Sequence, residues 1–305
     1  MKYSVVIPTL NSGDLWLDWI DAVKAQSIQP ETVLVIDSSS DDSTVSISEA
    51  NGFNVKVISR SEFNHGATRQ LGVDTLKDAE VIVFLTQDAI LANPDALKNI
   101  ISAFNDPKVG VAYGRQLPRL EAGLIESHAR NFNYSSKSRI KSFADRHKLG
   151  LKTPFVSNSF AAYRRSALID AGGFPCNTIV SEDMYVAAKA LKKNWLVAYC
   201  ADSLVYHSHD YSMFQEFQRY FDIGVFNARE SWIRQSFGGA ESEGGRFVSS
   251  ELHYLLKNSP ILIPQAMFRT LLKLLGYRLG LSESLIPHKF KRVLSMQKSY
   301  WKQIS

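Results

Sequence analysis

The stretch Tyr3-Ser4-Val5-Val6-Ile7-Pro8-Thr9-Leu10-Asn11 is a tight apolar run that ends in small polar residues. So short a run, covered on both faces, fits a strand of a parallel sheet better than a helix, which needs a longer periodic stretch. The pattern returns at Val33-Leu34-Val35-Ile36-Asp37 and at Val81-Ile82-Val83-Phe84-Leu85-Thr86-Gln87-Asp88. Strands are expected at Tyr3 to Ile7, Val33 to Asp37, Asn54 to Ile58, Glu80 to Thr86 and Val109 to Gly114. Helices fill the gaps over Asp14 to Gln26, Asp42 to Ala50, Gly66 to Leu76 and Pro94 to Phe104. This alternation predicts a doubly wound α/β beginning.

Beyond Gly114 the alternation lapses into a polar, basic, helix-prone stretch from Leu120 to His147. It resumes with Phe155 to Tyr163, a short helix over Arg165 to Ala171, the turn Gly172-Gly173-Phe174-Pro175, and a helix opening at Ser181. An apolar strand pair is expected across Trp195 to Tyr206, and from Tyr211 onward the pattern is helical. The expected division is an α/β domain over residues 1–210 and a helical, basic, amphipathic region over 211–305.

Composition narrows the function. At 305 residues with 45% hydrophobic and 21% charged content, the chain is ordinary globular material and not a disordered one. Its tight apolar runs, such as Val81 to Leu85, fall far short of a membrane span, and its start reads as a strand, not a secretory signal. Two cysteines, Cys176 and Cys200, in no zinc-like spacing fit a reducing cytoplasm. The formal net charge of +5 is uneven, since residues 257–305 hold nine Lys and Arg against Glu283 alone, leaving the remainder 3 negative. Without aromatic-basic interleaving in the body, such a tail points to an anionic membrane surface, a second subunit or a solvated face, and not to nucleic acid.

An open α/β sheet binds ligands beyond the carboxyl ends of its strands, so the residues there carry the chemistry. No G-x-G-x-x-G, Walker lysine or G-x-S-x-G motif occurs in a suitable place, which argues against a dinucleotide dehydrogenase, a P-loop enzyme and an α/β-hydrolase. Asp37 runs into Ser38-Ser39-Ser40-Asp41-Asp42, a cluster suited to hydrogen-bonding a base or sugar, or to a helix-capping turn. Asp88 reads as a hard-cation ligand or a solvated loop carboxylate. Glu182-Asp183 reads as a general base or as a pair favoured by the helix dipole. His207 and His209 end an apolar strand, and imidazole beside Asp88 suits Mn²⁺ better than Mg²⁺.

In this order, Ser4 to Asn11, Val35 to Ser40, Thr86-Gln87-Asp88, Ser181-Glu182-Asp183 and His207 resemble the nucleotide-sugar glycosyltransferases of family 2, with the GT-A fold. The segment Arg60-Ser61-Glu62-Phe63-Asn64-His65-Gly66-Ala67-Thr68-Arg69, with Thr86 to Ala89, is similar to that of bacterial rhamnosyltransferases of polysaccharide assembly. The resemblance covers residues 3–212. It implies a mixed sheet flanked by helices with a C-terminal helical extension, and a donor site of Pro8, Thr9, Asn11, Asp37, Thr86, Gln87 and Asp88. His65, Gly66 and Arg69 become the donor-side loop, with Arg69 offsetting diphosphate charge. Asp183 becomes the base and Glu182 the neighbour that orients the acceptor, with Asn158 and Ser159 as acceptor contacts. Asp88 and His207 become the ligands of Mn²⁺ or Mg²⁺, with His209 as the substitute for His207.

Thr86 stands where the family usually carries a carboxylate that chelates ribose hydroxyls, which is compatible with a thymidine diphosphate sugar. The resemblance thus implies inverting transfer of L-rhamnose to a glycan or lipid-linked acceptor at the cytoplasmic face of a membrane. A uridine diphosphate hexose donor and a non-catalytic glycan-assembly partner are the alternatives.

Overall fold

The computed structural model describes residues 1–303 except Asp210 and Ala240, and leaves aside the side chains of Glu241, Ser242 and Gln303. The opening pattern forms four parallel strands, β1 (Tyr3–Thr9), β2 (Val33–Asp37), β3 (Asn54–Val57) and β4 (Val81–Leu85). Between them lie α1 (Leu15–Lys24), α2 (Thr44–Ala50) and α3 (His65–Thr75). β2 and β4 are buried at every position, which is why they read as unbroken apolar runs. The register sets Thr9 opposite Asp37, so the polar ends of neighbouring strands lie side by side at one edge.

The chain continues through β5 (Ile90–Leu91), α4 (Ala96–Ser102), β6 (Val109–Leu117), α5 (Leu124–Asn133), β7 (Arg139–Lys141) and α6 (Arg146–Leu149). It then forms β8 (Phe160–Arg164), α7 (Arg165–Ala171), α8 (Glu182–Lys192) and β9 (Leu196–Tyr206). The sheet order is β3-β2-β1-β4-β8-β6-β9-β5, with β7 on β9. β8 is antiparallel to both β4 and β6, while β9 is parallel to β6, so the sheet is mixed. The strand pair expected across Trp195 to Tyr206 is instead one strand with a bulge. Gly114 pairs with Cys200 and Arg115 with Leu204, so Ala201 to Ser203 fall outside the register and β9 resumes in the same direction.

The helical end comprises α9 (Met213–Arg229), α10 (Ser231–Phe237), α11 (Glu241–Asn258), α12 (Ile263–Leu281), α13 (His288–Leu294) and α14 (Lys298–Gln303). One face of the sheet is covered by Trp16 and Trp19, whose rings stack at 4.9 Å. The other packs Phe84, Tyr163 and Phe174 edge to face, and this cluster runs on into Phe221, Phe226, Ile233 and Trp301. The helical end therefore shares the core of the sheet. The boundary expected at residue 210, itself outside the described residues, divides the sequence without dividing that core.

α9 and α12 cross at backbone contact. A Cβ on Gly276 would lie 2.3 Å from the Phe217 carbonyl oxygen, and one on Gly280 2.1 Å from that of Phe221. Arg269 and Lys273 of α12 then reach Glu216 of α9 at 3.1 and 3.2 Å. Among the described residues no helix is long and apolar enough to cross a membrane.

Candidate active site

β4 delivers Asp88, and the end of β9 delivers His207 and His209, to one hollow. The Asp88 Oδ2 lies 3.3 Å from His207 Nε2 and 3.5 Å from His209 Nδ1. One ligand atom from each residue lies within 4.8 Å of the others. Arg119 donates to the Asp88 carbonyl at 2.9 Å and fixes the loop that carries the carboxylate. Burial lowers both histidines, His209 to about 3 with help from the adjacent His207. Burial would raise Asp88, but the facing imidazoles hold its carboxyl well below the usual range. At neutral pH the hollow thus presents one carboxylate and two neutral imidazoles, a donor set that fits a borderline divalent cation such as Mn²⁺. Both histidines take part, where the sequence reading offered His209 only as a substitute.

The second cluster begins where α8 opens. Ser181 is left-handed at φ 61° and makes no capping bond, and Glu182 and Asp183 follow in the first turn. Asp183 accepts from the backbone N–H of Asn158 at 3.0 Å and from that of Met184 at 2.7 Å. Glu182 Oε1 accepts from Arg69 and from Asn158 Nδ2, each at 3.0 Å, while Tyr163 donates to Asn158 Oδ1 at 2.8 Å. Burial would raise Glu182, but Arg69 and then His65 hold it below the ordinary range. Asp183 is pushed up to about 7 by burial and by the charge of Glu182. A carboxylate serving only the helix dipole would be lowered, so Asp183 has the proton affinity of a base working near neutrality.

Two consecutive residues join the clusters. Asn158 holds Asp183, and the Ser159 hydroxyl lies 3.4 Å from His207 Nε2. The carboxylate pair and the metal-type triad, distant in sequence, therefore converge at the mouth of β8.

Several donor- and acceptor-side expectations take a different form. Arg69 is buried, ion-paired to Glu182 and hydrogen-bonded to the His65 carbonyl at 2.9 Å, so it is committed to the carboxylate pair and not free to meet a diphosphate. His65 lies beside that pair, and burial lowers its pKa. A Cβ on Gly66 would sit 1.8 Å from the Pro175 carbonyl oxygen, so glycine there lets α3 press onto the 172–175 turn. The side chains of Glu182 and Asn158 meet each other, with Arg69 on Glu182 and Tyr163 on Asn158. Ser159 belongs with the histidines.

Asp37 is fully buried and accepts from Thr9 Oγ1 at 2.8 Å, Ser40 Oγ at 2.6 Å and Ser40 N–H at 2.7 Å. It braces the loops at the strand ends and leaves little of its carboxylate for a base. Asn11, at φ 48°, accepts from the Asp41 N–H at 2.8 Å, and Gln87 clamps Leu10 through both its N–H and its carbonyl, at 2.8 and 3.1 Å. Pro8 lies within β1, half-buried. By contrast, the buried hydroxyl of Ser38, at the end of β2, has no hydrogen-bond partner, while that of Thr86, at the end of β4, lies beside the Asp88 carboxylate and helps to lower it. Ser38 thereby offers a hydroxyl to a polar ligand at the strand ends.

Residues 4–172 match the model of the family described as "Glycosyl transferase family 2". The chain belongs to glycosyltransferase family 2. It is 52% identical, over all of its length and 97% of the other's, to the O-antigen chain rhamnosyltransferase RfbN of Salmonella typhimurium. It is 49% identical to the O-antigen chain rhamnosyltransferase WbaN of Salmonella anatum, over 99% of this chain and 96% of that one. Among solved structures, the mannosyltransferase PcManGT from Pyrobaculum calidifontis, in complex with GDP-Man and Mn²⁺, aligns at TM-score 0.57 with 18% identity, covering 99% of this chain and 85% of that one. That likeness shows a shared GT-A-like fold.

In this glycosyltransferase, residues that the sequence reading passed over support the hollow. Glu126 of α5 accepts the His209 N–H, and Gln116 of β6 meets His207 Nδ1 at 2.9 Å. Gln116 lies past the Gly114 at which β6 was expected to end, so nothing in the linear pattern placed it at the histidine. The bulge opposite Arg115 is what brings it there.

Proposed function

We propose that this glycosyltransferase moves L-rhamnose from a thymidine diphosphate sugar to a hydroxyl of a glycan or lipid-linked glycan during O-antigen chain assembly, with inversion at the anomeric carbon. The observation that carries the mechanism is the position of Asp183, a carboxylate with raised proton affinity one residue step from the Asp88, His207 and His209 triad. Asp183 takes the acceptor hydroxyl proton as that oxygen bonds to the anomeric carbon, and the bond from that carbon to the donor phosphate breaks with its electron pair leaving on the diphosphate. Burial raises the proton affinity of Asp183; Glu182, kept ionised by Arg69, raises it further, and Asn158 holds the carboxylate in place. Asp88, His207 and His209 would hold Mn²⁺ or Mg²⁺, whose chemistry when bound is Lewis-acid stabilisation of the leaving diphosphate. The sugar and the process are supported by full-length likeness to two proteins named O-antigen chain rhamnosyltransferases. Thr86 in place of a ribose-binding carboxylate supports the thymidine donor. Nucleotide release across a panel of donors with Mn²⁺ tests this reading, and faster turnover with a uridine diphosphate hexose would overturn it.

The same reading seats the enzyme on an anionic membrane through α12. Of the cations expected to face lipid there, Arg269 and Lys273 are instead paired with Glu216. The exposed row Phe268, Leu271, Leu275 and Leu279 is flanked by exposed Arg278, with Lys289 and Arg292 on α13. Exposed cations of this kind contribute about 1 kcal/mol each near an anionic surface. Because α12 packs against α9 at backbone contact and α14 shares the core, the test keeps the full chain and compares it with Leu271→Gln/Leu275→Gln on phosphatidylserine and on phosphatidylcholine vesicles. Loss of phosphatidylserine sedimentation in the variant is expected; equal sedimentation refutes the contact, and a halved molar mass in the variant would assign the face to a homodimer.

A further inference from the structure

The polar chain behind His207 specifies more than its position. Gln116 is buried in β6, and Arg130 of α5 donates to its Oε1 at 2.5 Å. Arginine carries only donors, so the amide atom it meets is the oxygen. The amide nitrogen donates to Ser157 Oγ at 2.9 Å on the other side, so both ends of the amide are fixed. The same oxygen lies 2.9 Å from His207 Nδ1, and an acceptor at that distance calls for a proton on Nδ1. Nε2 is then bare. It faces the Asp88 Oδ2 at 3.3 Å and the Ser159 hydroxyl at 3.4 Å.

We propose that Gln116 and Arg130 are positioning residues that lock His207 as the Nδ1–H tautomer, which reserves its Nε2 lone pair for a divalent cation shared with Asp88. With a free choice, the ring would place its proton on Nε2 and donate it to Asp88, closing the site with a hydrogen bond between its own ligands. The fixed amide forbids that arrangement and leaves two acceptors facing each other, which a cation between them relieves. The proposal rests on the reading of Asp88, His207 and His209 as metal ligands.

Two measurements on the full-length protein separate the parts. Mn²⁺ uptake is followed by loss of the free-ion electron paramagnetic resonance signal in wild type, Gln116→Leu and Gln116→Glu. Removing a partner of this kind costs about 10- to 100-fold in metal affinity, so Gln116→Leu should weaken Mn²⁺ by that factor. Gln116→Glu keeps an oxygen for both Arg130 and Nδ1–H, and its affinity should stay within a few-fold of wild type. Imidazole ¹⁵N shifts of the metal-free protein should show His207 as Nδ1–H in wild type and as Nε2–H in Gln116→Leu. Wild-type His207 protonated on Nε2, or a folded Gln116→Leu with unchanged Mn²⁺ affinity, would overturn the proposal, and the wild-type spectrum decides even if the leucine variant fails to fold. Wild-type protein that took up no Mn²⁺ while keeping Nδ1–H would overturn the metal reading and leave the positioning of the ring supported.

Discussion

The two halves of the site are built on opposite terms. Around Asp183 the carboxylates are met by the protein's own donors: Arg69 and the Asn158 amide reach Glu182, the Asn158 and Met184 N–H groups reach Asp183, and Glu182 is buried, with Arg69 Nε left without a partner. Around Asp88 the protein holds back. Two neutral imidazoles and a carboxylate face one another, and the hydroxyl of Ser38 at the neighbouring strand end has no partner. On the proposed reading the base is set in advance, its proton affinity raised by burial and by the charge of Glu182, whereas the donor side is completed by what binds. That reading assigns preorganised catalysis to the acceptor side and recognition to the donor side.

The largest expected effect sharpens this division. Asp183→Asn should lower kcat by roughly 10² to 10⁴, the usual contribution of a positioned base, while donor affinity by equilibrium binding barely moves. Equal losses in both would mean that the halves are not separate. Next comes Arg69→Met, which strands the buried Glu182 and should cost about 3–5 kcal/mol in urea unfolding. A cost within error would place Arg69 outside the self-satisfied half. His209→Ala removes one of three ligands and should weaken Mn²⁺ by about tenfold or more, given that even outer partners of a ligand are worth that much, without changing urea stability by more than about 1 kcal/mol. A large stability loss there would make the donor half structural too. The smallest effect is expected from Thr86→Asp, which should shift the ratio of turnover from thymidine towards uridine donors by about the 10-fold that one well-placed hydrogen bond is worth, read in a competition assay.

The same contrast explains what was legible in the sequence. Strand ends advertise themselves, because a buried parallel strand is an unbroken apolar run and the first polar residue after it faces the cleft; Asp88 and His207 are read that way. Asp183 was visible as an acidic pair after Ser181, but its partners were not. Arg69 is more than a hundred positions upstream of Glu182, and no local pattern distinguishes an arginine aimed at a diphosphate from one buried against a carboxylate. Asp37 and Gln87 were legible as strand-end polar groups, yet their hydrogen bonds turn to Thr9, Ser40 and Leu10, a matter of loop geometry that residue type does not encode. Gln116 became visible only through the bulge in β9. The helical end read correctly as helices, but Trp301 and Phe221 joining the core of the sheet is a long-range fact that a shift in composition near residue 210 conceals.

The dependence of kcat/KM on pH, with Mn²⁺ and thymidine diphosphate rhamnose, bears most directly on the role of Asp183. A base with a folded pKa raised to about 7 is protonated and idle below that value, so the rate should climb through neutrality and level off on the alkaline side. A rising limb centred near neutrality, absent from the residual activity of Asp183→Asn, is the predicted result; a profile flat across neutrality in the wild-type enzyme would contradict it.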